Sequence, residues 1–91
     1  MTTPVREALL EETVLLPGGA RIDIALWRAD ALGYRLCYAR GAECLVRYEG
    51  ASDAPARRQL RGRALPYAFR SVEQLRYDFE RDVEAVHAAP P

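Results

Sequence analysis

The chain has 91 residues, 49% of them hydrophobic, and its 13 basic residues balance its 13 acidic ones. That length fits one domain, read as 1–91 with a core over about 8–87, and the apolar content argues against disorder. No apolar run approaches the ~20 residues of a membrane helix, and Met1 to Glu12 lacks the basic-then-apolar layout of a signal peptide, so a cytoplasmic location without membrane contact is expected. Two cysteines and one histidine are too few for a four-ligand zinc site without carboxylates, and they exclude a disulfide framework. Neither a metal nor a cofactor is expected.

Ala8 to Leu16 ends at Pro17-Gly18-Gly19, a turn signal. In the next segment Ile22, Ile24 and Leu26 alternate on one face, so the two segments read as a hairpin. Ala29 to Gly33 reads as a loop. Tyr34 to Arg40 and Glu43 to Glu49 flank Gly41-Ala42, which suits a two-residue type II′ turn. In that register Cys37 faces Val46 and Leu36 faces Arg47. Cys37 and Cys44 would lie diagonally, roughly 7 Å apart, wide for a disulfide, and read as small buried hydrophobes. The small side chains of Cys37, Ala39, Cys44 and Val46 suggest the face on which a helix would lie. Gly50 to Gly62 reads as irregular, and Ala64 to Phe69 as a short last strand. Ser71-Val72-Glu73-Gln74 is a capping box, after which Val72, Leu75, Phe79, Val83 and Val86 recur at helical spacing. His87 falls in the last turn, where it reads as a solvated residue suited to the helix dipole. The expected fold is α+β: an antiparallel meander of four to five strands packed against one C-terminal amphipathic helix.

Enzymatic motifs of the common kinds are missing: there is no Gly-rich phosphate loop and no paired His/Cys arrangement. The unusual segment is Arg57 to Arg63, with four arginines in seven residues and no acidic residue before Arg70. Guanidinium groups suit bidentate phosphate contact, and Tyr48, Tyr67 and Phe69 beside them could stack on unpaired bases. The same charges could simply be neutralised within the fold by the acidic helix, or meet an acidic protein partner.

The order of the hairpin ending in Leu45-Val46-Arg47-Tyr48, then Pro66-Tyr67-Ala68-Phe69, then Ser71-Val72-Glu73-Gln74-Leu75 with Asp82-Val83-Glu84 near the helix end, resembles the TumE family, the toxin component of a bacterial toxin–antitoxin system. The resemblance runs from about Thr13 to Val86. It implies a toxin-like protein acting on RNA, a helix-turn-helix antitoxin as partner, and a metal-independent ribonuclease activity. A second copy of the chain is a further candidate partner. The loop departs from the family pattern. Glu49 and Gly50 stand where Asp-Asn is usual, Ala54 replaces a Lys, Ala56 an Asp, and Arg57 and Gln59 two His; only Arg58 matches. The resemblance and the remaining chemistry together nominate Arg47, Glu49 and Arg58 as catalytic, with Glu49 the base. Tyr48, Arg57, Arg61, Arg63 and Tyr67 are then the nucleic-acid or partner contacts. The loop substitutions support an alternative, a non-catalytic member that binds a protein or nucleic acid through its arginines.

Overall fold

Six strands, rather than four or five, precede the helix in the computed structural model, which describes residues 6–88. They are β1 (Glu7–Leu15), β2 (Ala20–Arg28), β3 (Leu32–Arg40), β4 (Glu43–Ala51), β5 (Ala56–Leu60) and β6 (Arg63–Tyr67), followed by α1 (Val72–Ala88). Each strand pairs antiparallel with its sequence neighbour, giving one sheet in the order β1-β2-β3-β4-β5-β6. The additional strand is β5, which occupies part of the stretch expected to be irregular. Its alternation is masked in the sequence because Arg58, an inward position, is charged.

The Gly41-Ala42 turn forms as expected: Gly41 has φ +61° and Ala42 is not left-handed, the combination a type II′ turn needs. Arg40↔Glu43 and Ala39↔Cys44 keep the register read from the sequence. A bulge between Tyr38 and Ala39 then shifts every later pair by one residue, so Cys37 faces Arg47 and Leu36 faces Tyr48. One residue of slip exchanges the faces of a strand. The helix therefore lies on the face carrying Tyr34, Leu36, Tyr38, Val46 and Tyr48, all fully buried, and not on the Cys37 face. The bulge lets four large apolar side chains and a valine meet the helix, where each full burial is worth about 1.5–3 kcal/mol.

Leu75 and Phe79 are the buried anchors of α1, with Val72, Val83 and Val86 packed around them, as the helical spacing requires. Half of the capping box is made: Gln74 N donates to Ser71 Oγ at 3.1 Å, while the Gln74 amide runs forward to Asp78 Oδ1 at 2.8 Å instead of turning back. His87 is more than a solvated end residue, because its Nδ1 lies 3.0 Å from the Tyr38 hydroxyl. Cys37 and Cys44 form a disulfide across β3 and β4, with Cα atoms 6.2 Å apart, which overturns their reading as unlinked hydrophobes. Among the described residues, no helix is long and apolar enough to cross a membrane.

Candidate functional site: the uncovered face of the sheet

With α1 on one side, the other side of the sheet carries two rows of side chains. Cross-strand partners place Glu11, Ala25, Arg35, Glu49, Arg57 and Pro66 in one row. The neighbouring row is Thr13, Asp23, Cys37, Arg47, Gln59 and Ala64. A period of two thus draws residues from all six strands onto one surface.

The centre of this surface is a hollow of about 330 Å³ lined by Arg47, Glu49, Gly50, Pro55, Arg57 and Gln59. Beside it lies a broader depression of about 510 Å³ that shares Arg47 and includes Arg35, Asp23, Thr13 and Glu11. The charges are not equally free. Asp23 accepts from Arg21 Nε at 2.9 Å and from Thr13 Oγ1 at 2.9 Å. The Arg21 contact holds its carboxyl below the usual range, against the opposing effect of burial. Glu49 Oε2 lies 3.5 Å from Arg35 Nε. Among the described residues, neither Arg47 nor Arg57 forms an ion pair. Both are exposed and neighbour Glu49, Arg47 two residues before it on β4 and Arg57 opposite it on β5, which leaves two guanidinium groups able to take an anion beside a carboxylate.

The structure divides the residues nominated from the sequence. Arg47, Glu49 and Arg57 meet on the uncovered face. Arg58 and Tyr48 point the other way, into the layer between sheet and helix. There Tyr48, fully buried, donates its hydroxyl to Asp82 Oδ2, and Arg58 Nη1 lies 3.2 Å from the same oxygen. Tyr67 donates to Asp78 Oδ2 at 2.7 Å. The Tyr48 ring packs edge-on against Tyr67 and Phe79, with centroids 4.9 and 5.8 Å away. No base can stack on Tyr48 without opening the core. Arg61 sits in the β5–β6 turn at φ +49°, followed by Gly62 at +82°, and reaches toward the Val86 carbonyl at 3.5 Å. Arg63 lies at the helix side of the β6 edge. A cluster contiguous in sequence is dispersed by the pleat and a turn.

No family model, curated protein or solved structure matches this chain.

Two contributors escaped the sequence reading. Arg35 falls within the strand read over Tyr34 to Arg40 and carries no role there, although its alternation with Leu36 sets it on the polar side of β3. Gln59 appeared only as a departure from a pattern, yet it is the cross-strand partner of Arg47. Among the described residues, no cluster of His, Cys, Asp and Glu could hold a metal ion. The chemistry available on this face is phosphate binding by arginine and proton transfer by Glu49.

Proposed function

We propose that this chain is the toxin component of a bacterial toxin–antitoxin pair and engages RNA across the uncovered face of its sheet. The observation that carries the RNA reading is a pair of guanidinium groups that form no ion pair among the described residues, Arg47 two residues before exposed Glu49 on β4 and Arg57 opposite it on β5. A phosphodiester held by the two arginines would place the 2′-hydroxyl of the preceding ribose within reach of Glu49; as the carboxylate takes that proton, the 2′-oxygen bonds to phosphorus and the P–O5′ bond breaks, leaving a 2′,3′-cyclic phosphate and a 5′-oxygen that takes a proton from water, with the cations offsetting charge on the phosphate. Arg58 then serves as a positioning residue that fixes β5 through Asp82, while Arg57 on the opposite side of the same strand meets the ligand. The toxin context rests on the resemblance to the TumE family and on its implied helix-turn-helix antitoxin.

A second reading, binding without cleavage, is favoured by Arg57 and Gln59 standing where that family has histidines. One experiment separates the two. Induction of the wild-type chain alone should arrest growth, relieved by the adjacent gene; normal growth under strong induction would sink the toxin reading. Purified Glu49→Gln should retain RNA binding and lose cleavage if Glu49 is the base. If the wild type binds single-stranded RNA with marked salt dependence but never cleaves it, the binding reading replaces the catalytic one.

A further inference from the structure

The two edges of the sheet are built differently. At one edge β6 has five residues, and Pro66 removes one of its backbone donors. At the other, β1 has nine residues and no proline, and among the described residues it pairs on one side only, with β2. Its bulge, at Leu9, lies near its start, so Leu10 to Leu15 pair with β2 without interruption. Half of the backbone N–H and C=O groups of that run face outward, a template for another strand. Leu9, Val14 and Leu15 are exposed, Leu15 at 79%. Glu7, Glu11 and Glu12 are exposed too, none of them in an ion pair with another described residue, and the strand carries no basic residue.

We infer that β1 is an interaction edge that accepts an extended, arginine- or lysine-bearing segment of a partner protein as a seventh strand. Backbone bonds to the outward groups of β1 would hold the segment. Its basic side chains would meet Glu11 on the uncovered face and Glu12 on the helix side, and its apolar ones would cover Leu9, Val14 and Leu15. Charge selects against a second copy of the chain. Two β1 strands paired about a two-fold axis at their midpoint would set Glu11 opposite Glu11, and like charges directly opposite are destabilising. Beyond Leu15 an apolar hollow of about 350 Å³ between Leu16, Ile22 and Val83 offers a place for the partner's next side chain. The surface is independent of the RNA reading, because its determinants lie on β1 and not at Arg47 or Arg57.

The test uses the whole chain and two capped peptides as long as β1, one alternating arginine with valine and the other glutamate with valine. Amide hydrogen exchange is followed by NMR. The arginine peptide should slow exchange at alternate residues of β1 at least about tenfold, while the glutamate peptide leaves it unchanged. Replacing Glu7, Glu11 and Glu12 together by lysine should exchange these preferences while leaving the β3–β4 amides protected. Protection scattered over the acidic helix face, equal protection by both peptides, or a β1-mediated dimer of the free protein in sedimentation would each overturn the proposal.

Discussion

Asp82 receives two donors from the sheet, the Tyr48 hydroxyl and Arg58 Nη1, and its side chain is only 12% exposed. Removing it by Asp82→Ala would leave a partly buried guanidinium without its carboxylate and the buried Tyr48 phenol with only the Asp78 carbonyl, 3.2 Å away. Loss of one partner from such a site costs about 2–4 kcal/mol, measurable as a fall in the urea midpoint. The same network gives the stability a pH dependence. Burial first, and Asp82 second, push the Tyr48 hydroxyl up to about 12. Burial and then Asp78 raise Tyr67 as well. A free tyrosine titrates near pH ~10, so these phenols stay protonated in the folded chain where the unfolded chain begins to ionise. Their stabilisation is complete below pH ~10 and is lost as pH rises from there through about 12, the Tyr48 value. Denaturation followed from pH 8 upward should therefore show a decline beginning near pH ~10, and Tyr48→Phe should flatten part of it. Gly33 carries a different constraint. A Cβ there would run into the indole of Trp27, its cross-strand neighbour on β2. Gly33→Ala must displace the ring, at a cost of about 1–3 kcal/mol, and should shift its fluorescence.

At the scale of elements, α1 and the β3–β4 turn were legible because their signals are local: a Ser cap, helical spacing, a glycine where φ must be positive. The buried face of the hairpin was not, because it depends on one bulge residue that no local propensity marks. The alternative register sets small residues toward the helix, and both registers look acceptable until the volume of four aromatic and aliphatic side chains is weighed against them. β5 was missed for a related reason, since its inward position is filled by Arg58, whose partner Asp82 comes from α1 and is 24 residues away. The candidate site suffered most. Arg57 and Arg58 are adjacent in sequence and on opposite sides of the sheet, so a contiguous arginine cluster cannot be one surface once it becomes a strand. The β5–β6 turn supplies a test of Arg61. Arg61 and Gly62 both have positive φ, the type I′ arrangement that favours Asn-Gly. Arg61→Asn should raise stability by about 0.5–1 kcal/mol, and unchanged RNA binding in that variant would place Arg61 outside the contact surface.

For the molecule as a whole, the sheet separates two jobs. One side makes the core with α1, and the other carries Arg35, Arg47, Glu49 and Arg57 at exposed positions. Substitutions of the exposed charged residues on the uncovered side should be nearly silent in stability. Arg47→Ala and Arg57→Ala are each expected within about ±0.5 kcal/mol of wild type by chemical denaturation. Their effect should appear in RNA affinity and its salt slope, each removing about one phosphate contact. Phe79→Ala should do the reverse, losing about 3–5 kcal/mol from a side chain that is 1% exposed.

Every strand precedes α1 in sequence, and every strand pairs with the one before it. As the chain leaves the ribosome the hairpins can therefore form in turn, each closing only a short loop. The tyrosines and leucines of the inner side nevertheless stay wet until Leu75 and Phe79 have emerged. The newborn sheet is a folded scaffold with an unsealed interior, and the helix converts it from a sticky surface into a protein.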